Sequence, residues 1–78
     1  MRLEEALKLK QGTIVAPNMS WYSPGKFTKG KSYALQGDAF PHEAKVGRRF
    51  EVVNAHLPLV DDSGKECEPV YIDFYVVS

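Results

Sequence analysis

Few side chains in this chain could bind a metal or act as a nucleophile: two histidines, one cysteine and ten carboxylates. His42 and His56 are 14 positions apart and Cys67 has no second cysteine, so no pair has the spacing of a metal site. A cysteine nucleophile needs a histidine base and a third group that orients it, and the sequence places neither beside Cys67. We therefore expect no catalytic residue, no metal, no cofactor and a half-buried structural thiol.

Asp61 and Asp62 are the only adjacent pair of aspartates, and such a pair could serve acid–base chemistry or calcium binding. Adjacent residues of a strand point to opposite faces, so they rarely share a site, and no calcium-loop spacing follows them. The stretch Asp61-Asp62-Ser63-Gly64 is instead typical of a hairpin turn with Gly64 in the left-handed region.

Aromatic and basic residues between positions 21 and 31 form the pattern most suited to binding. Aromatic residues on a loop can anchor a protein interface, and lysines can steer an acidic partner towards it. The same groups could stack on bases and neutralise phosphates of a single-stranded nucleic acid. The residues are Trp21, Tyr22, Phe27, Lys26, Lys29 and Lys31, and Arg48 and Arg49 could extend the basic surface.

Both halves of this pattern have a structural alternative, and the sequence leaves these alternatives open. The lysines could simply keep a turn solvated and guard an exposed strand edge. The aromatic residues could fold back as a lid on the core. The net charge of the chain is zero, and this favours the structural explanation of the lysines because nucleic-acid binders rely on net attraction.

Length and composition favour a small binding module over an enzyme. The chain has 78 residues, which suits one domain and leaves little room for a deep pocket beside a core. Residues 1–33 carry six basic and two acidic side chains, whereas residues 34–78 carry four and eight, so the surface could be dipolar. One cysteine, no signal-peptide pattern and no long apolar run predict a cytoplasmic protein without membrane contact.

The hydrophobic pattern predicts one helix followed by short strands. Residues 3–10 are predicted to form a helix that Gly12 stops, and residues 39–46 a connection without clear period. Residues 71–77 are apolar on both sides, which predicts a strand covered on both faces. The predicted strands are 13–16, 32–36, 50–53, 57–60, 65–70 and 71–77.

A short echo links two of these strands. Gly30-Lys31-Ser32-Tyr33-Ala34-Leu35 is repeated in character, 17 residues later, by Gly47-Arg48-Arg49-Phe50-Glu51-Val52. Each segment is typical of a turn at glycine followed by a strand that begins with an aromatic residue. We predict a mainly β fold: one domain over residues 1–78, with a small barrel of five or six antiparallel strands over residues 13–77 and the helix at 3–10.

The stretches FTKGKSYAL, PLVDDSGKE and FYVV resemble a class of small phage-encoded proteins with SH3-like β-barrels. The matching positions are Phe27, Gly30, Lys31 and Tyr33, then Val60, Asp61, Asp62 and Gly64, then Phe74, Val76 and Val77. The resemblance covers residues 27–78 and implies an SH3-like barrel but no single activity. This chain departs from the class by extra residues at 39–46 and by an added N-terminal helix.

A second resemblance is confined to the N-terminal part. EALKLKQGTIVA, with Trp21 downstream, is similar to the opening of phage anti-defence sponge proteins that sequester cyclic nucleotides. Pro17 and Asn18 stand where those proteins carry a basic residue, so no binding residue is transferred.

These observations lead to one favoured function and one alternative. We expect a non-enzymatic module, encoded by a phage or mobile element, that binds a host protein in the host cytoplasm. The alternative is binding of nucleic acid or a small nucleotide, including sequestration of a signal, by the same surface. Both a monomer and a homodimer are compatible with the sequence.

Overall fold

Short β-strands make up most of the regular structure in residues 1–20 and 25–78, which are the residues that the computed structural model describes. The only α-helix among them, α1, spans Leu3–Ala6. The strands are β1 (Ile14–Pro17), β2 (Tyr33–Ala34), β3 (Phe40–Val46), β4 (Arg49–His56), β5 (Leu59–Val60), β6 (Glu66–Cys67) and β7 (Phe74–Val76), with a 3₁₀ helix at Tyr71–Asp73. The predicted mainly β class with a short N-terminal helix is confirmed.

The described strands form three separate antiparallel sheets. The first has the order β2-β1-β7, the second is the β3–β4 hairpin, and the third is the β5–β6 hairpin. Among the described residues these sheets do not close into a barrel, so the SH3-like architecture stays a prediction. The described residues contain seven strands where we expected five or six, and the additional strand is β3.

Aromatic and aliphatic side chains from all parts of the chain form one core. The ring of Phe27 lies 5.0 Å from that of Tyr33 and 5.3 Å from that of Phe74, both in edge-to-face geometry. Such aromatic pairs are stabilising beyond their buried area. The core consists of Val15, Phe27, Tyr33, Leu35, Leu57, Leu59, Cys67 and Phe74.

The structure corrects the predicted end of the helix and the predicted connection at residues 39–46. The helix ends at Ala6 rather than residue 10, so Gly12, with φ of 90°, lies in a later turn and does not stop it. The segment predicted as a connection is strand β3, because its full length pairs with β4. Its Pro41 is tolerated because β3 is an edge strand that needs no donor on its free side.

The C-terminal strand is not covered on both faces, contrary to the prediction. Only Phe74 of β7 is buried, while Tyr75 and Val76 are exposed. Ile72, which the apolar alternation placed inside, lies in the 3₁₀ helix and is 65 % exposed. The alternation of apolar residues therefore predicted more burial of this segment than the structure shows.

Candidate functional site

The two aspartates of the β5–β6 turn hold residues 26–31, which we call the basic loop. Asp61 accepts the backbone N–H of Lys26 at 3.0 Å through Oδ2. The backbone N–H of Asp62 donates to the Lys26 carbonyl at 2.9 Å. One bond to the Asp61 side chain and one bond between backbone groups thus join the turn to the basic loop.

Asp61 also closes its own turn. Its Oδ1 accepts the backbone N–H and hydroxyl of Ser63, at 3.0 and 2.7 Å, and the backbone N–H of Lys65 at 2.9 Å. These donors stabilise the charged form. The N–H of Lys26, followed by the Ser63 hydroxyl and the N–H of Lys65, lowers the pKa of Asp61 to about 2.

Asp62 is surrounded by side-chain donors. It accepts the hydroxyls of Thr28 and Tyr33, each at 2.6 Å, and the ammonium of Lys31 at 2.9 Å. These bonds, first of all the one from Thr28, lower the pKa of Asp62 far below its ordinary range. The hydrogen bond between Lys31 and Asp62, followed by the attraction of their charges, raises the pKa of Lys31. All three donors stabilise a carboxylate, so Asp62 serves here as an anchor and not as a proton donor.

The structure separates the expected binding residues into three groups. Phe27 was expected to anchor a partner, but its side chain is completely buried in the core, so that prediction is wrong. Lys31 pairs with Asp62, whereas Lys26 and Lys29 lie on the exposed surface of the basic loop. Trp21 and Tyr22 lie outside the described residues, so their predicted role stays a prediction.

A different exposed aromatic residue stands at the end of the β3–β4 hairpin. Phe50 is 70 % exposed, more than any other phenylalanine among the described residues. It lies opposite Lys45 in the ladder, beside the turn formed by Gly47 and Arg48. We call residues 45–50 the hairpin tip.

Gly47 determines the shape of the hairpin tip. Val46 pairs with Arg49, so the loop between the strands has two residues. Gly47 has φ of 65° and no described residue other than glycine has positive φ, which matches a type II′ turn with glycine first. Such a turn follows the natural twist of the strands and therefore presents Arg48 and the flanking side chains on a regular ribbon.

The hairpin tip combines positive charge with apolar surface. Lys45, Arg48 and Arg49 contribute three cationic groups, and residues 45–50 contain no acid. The guanidinium of Arg49 pairs with Glu51 at 2.9 Å, although its side chain is 80 % exposed. Val46 is also exposed beside this charge. Arg48 and Arg49, expected to extend a basic surface, lie here and not in the basic loop.

Sequence reasoning missed Phe50 as a surface residue because it assumed that an aromatic-led strand faces the core. The corresponding aromatic residues of the two echoed segments differ in burial: Tyr33 is buried and Phe50 is exposed. One signal was present in the sequence. The residue after Phe50 is the charged Glu51, whereas Tyr33 is followed by the apolar Ala34 and Leu35.

An open cavity of about 380 Å³ lies beside Cys67. Gln36, Pro58, Glu66 and Glu68 contribute to its walls. Burial, with a smaller effect of the Asp61 charge, raises the pKa of the Cys67 thiol, and the thiol lies 3.6 Å from the Lys65 carbonyl. A protonated thiol is a poor nucleophile, which agrees with a structural role for this residue.

The two histidines meet in space although they are distant in sequence. The ring of His56 lies 5.3 Å from that of His42 and stacks on Phe40 at 5.5 Å. Nδ1 of His56 lies 2.7 Å from the Glu68 carbonyl, which fixes Nδ1 as the donor. Within the described residues, no three histidine, cysteine or acidic side chains are grouped so that they could hold a metal ion.

Comparison of the chain with models of protein families, with curated proteins and with solved structures gave no match. No helix in the described part of the chain is long and apolar enough to cross a membrane.

Proposed function

We propose that this chain is a non-enzymatic protein-binding module whose contact surface is the hairpin tip, with Phe50 as its central anchor. The observation that carries the proposal is the exposure of Phe50 among three cationic side chains. Aromatic residues and arginine are the types that most often dominate the affinity of protein interfaces. The expected partner surface combines an apolar recess with acidic residues around it.

The basic loop adds a second cationic surface to this proposal. Lys26 and Lys29 are exposed and the Asp61–Asp62 turn fixes the backbone of their loop. Charges on a rigid loop increase the rate of association with an acidic partner more than they increase the affinity for it. The resemblance to small phage-encoded SH3-like proteins adds a host protein as the expected partner and a host cytoplasm as the expected location.

A crosslinking experiment tests the proposal. A benzophenone side chain in place of Phe50 should crosslink a discrete protein in extract, and the same probe in place of Ile72 should not. Ile72 is a matched control because it is apolar and 65 % exposed, and residues 66–78 around it contain no lysine or arginine. Phe50→Ala should then weaken binding of the purified partner by about 2 kcal/mol or more, as for other aromatic anchors. Equal capture at both positions would refute the role of Phe50.

Nucleic-acid binding is the second candidate, and the acid-free hairpin tip is the observation that favours it. Two-stranded ribbons can enter the major groove of duplex DNA, and cationic side chains can neutralise phosphates. Fluorescence anisotropy with labelled single-stranded and duplex oligonucleotides at low salt separates the two functions. Binding that falls steeply with salt and that is lost in an Arg48→Glu/Arg49→Glu variant would favour nucleic acid, whereas no anisotropy change at high protein concentration would remove it.

A further inference from the structure

Strand β3 has one free edge. It pairs with β4 along all seven of its residues and with no other strand in the described part of the chain. Six of those seven residues are exposed, so no side-chain layer covers the edge. A row of unpaired backbone groups can receive another strand, and a two-stranded ribbon gains stability when it becomes part of a larger sheet.

The sequence of β3 is complementary to itself in one antiparallel register. Glu43 and Lys45 flank Ala44, and both are exposed. If two copies of β3 run antiparallel about a two-fold axis at Ala44, Glu43 of each copy lies opposite Lys45 of the other. Opposite charges at directly facing positions stabilise a strand pair, and like charges destabilise it. The two-fold axis generates this favourable pair twice.

We propose that the free edge of β3 binds a second copy of this chain in this register, which gives the four-stranded sheet β4-β3-β3-β4. Any other antiparallel register of β3 with itself moves Glu43 away from Lys45. Pro41 lies opposite Gly47 of the second copy, beyond the end of β3, so its missing N–H removes a ladder bond only at the margin. The same proline and the charged side chains discourage pairing with strands of other sequence.

The contact is small and therefore weak. It involves one strand edge from each copy, which places it among transient interfaces, with a dissociation constant of about 10 µM to 1 mM. Because the paired charges are exposed, added salt weakens the association. Lys45 belongs both to this contact and to the hairpin tip, but the inference concerns the edge of β3 and not the proposed anchor Phe50 on β4.

Charge reversal tests the register directly by sedimentation velocity across this concentration range. Glu43→Lys places lysine opposite lysine twice, and Lys45→Glu places glutamate opposite glutamate twice. Each variant should raise the dissociation constant at least about 10-fold. The Glu43→Lys/Lys45→Glu double variant restores both opposite-charge pairs and should return the constant to within about 3-fold of the original. Glu66→Lys, an equal charge change on exposed β6, should leave association unchanged.

Mixing the two single variants separates a lost contact from a damaged fold. Glu43→Lys carries two lysines at these positions and Lys45→Glu carries two glutamates, so a mixed pair has only opposite charges across the axis. An equimolar mixture should therefore associate more tightly than either variant alone. A mixture no more associated than its components would overturn the proposal, as would an unmutated chain that stays monomeric at about 1 mM.

A symmetric crosslink tests the position of the axis. Facing Cα atoms in an antiparallel pair are about 4.5–5.5 Å apart, within reach of a disulfide. In a Cys67→Ala background, Ala44→Cys should form a disulfide-linked dimer on mild oxidation, faster at higher protein concentration. Glu66→Cys in the same background, exposed on β6, should crosslink far more slowly. Equal rates at the two positions would contradict the proposed register.

Discussion

The phenol of Tyr33 donates a 2.6 Å hydrogen bond to Oδ1 of Asp62. The same phenol oxygen accepts the backbone N–H of Thr28 at 2.9 Å. One hydroxyl therefore links strand β2, the basic loop and the β5–β6 turn, while its ring packs edge-on against Phe27 in the core. Burial, followed by the bond to Asp62, raises the pKa of Tyr33, so the phenol remains a donor throughout the neutral range.

Removal of this hydroxyl should destabilise the fold. Tyr33→Phe leaves the N–H of Thr28 without its acceptor and removes one donor from Asp62, which should cost about 1–2 kcal/mol of the free energy of unfolding. Urea denaturation measures the change. Tyr75→Phe is the control, because Tyr75 is 47 % exposed and its hydroxyl can exchange bonds with water. Equal, negligible losses in both variants would show that the link is not stabilising.

Acid should destabilise the fold because both turn aspartates have lowered pKa values. In the unfolded chain such a carboxyl titrates near pH 3.9, whereas folded Asp61 titrates at about 2 and Asp62 is lowered further. The unfolded state therefore binds more protons than the folded state in this window. The stabilisation is complete above about pH 4 and is lost as the pH falls through 2.

Thermal midpoints measured from pH 6 to pH 2 check this dependence. The midpoint should fall most steeply below about pH 4, and Asp62→Asn should lower it at pH 6 while flattening the acid-dependent part. A midpoint of the unmutated chain that is constant over this range would contradict the lowered pKa values.

Gly25 should resist substitution because of close packing around it. A Cβ atom on Gly25 would lie 2.7 Å from Sγ of Cys67 and 2.8 Å from Cε2 of Phe27. Gly25→Ala should therefore cost about 1–3 kcal/mol, since the core must shift to accept the methyl group. Gly37→Ala is the matched control, because its nearest contact would be Pro58 Cγ at 3.7 Å, an ordinary distance. Chemical denaturation of the two variants should separate them clearly.

Phe27 and Phe50 should differ sharply when each is shortened to alanine. Phe27→Ala removes a completely buried ring and should cost about 3–5 kcal/mol, a large part of the stability of a chain this size. Phe50→Ala removes a ring that is 70 % exposed and should change stability by less than about 0.5 kcal/mol. Differential scanning calorimetry gives both values, and a large loss for Phe50→Ala would place that ring in an intramolecular contact.

Local chemistry explains which elements could be predicted from sequence. The turn at residues 61–64 was predictable because aspartate, serine and glycine have strong and specific turn preferences, and Gly64 has the expected positive φ of 84°. Strand β1 was predictable because a run of β-branched residues ends at a proline. Both signals act within a few residues, so neither depends on the rest of the fold.

Signals that depend on distant partners were not predictable in this way. Strand β3 carries little apolar periodicity because almost all of it is exposed, and it becomes a strand only through its ladder with β4. Asp62 was read as part of a turn, whereas its donors Thr28, Lys31 and Tyr33 come from about 30 residues earlier in the chain. The candidate site was relocated for the same reason: burial of Phe27 and exposure of Phe50 are properties of the assembled core.

The pairing of β1 with both β2 and β7 also affects how the protein reaches its native state during synthesis. Val15 of β1 pairs with Val76 of β7, which lies far later in the chain. β1 therefore leaves the ribosome long before this ladder partner has been made. Both hairpins lie between β1 and β7 in sequence, so β1 lacks one of its two neighbours until β7 has been made. Proteins dominated by such distant pairings fold in milliseconds to seconds, more slowly than those built from local contacts. The β2-β1-β7 sheet can therefore be completed only after the residues between β1 and β7 have been synthesised.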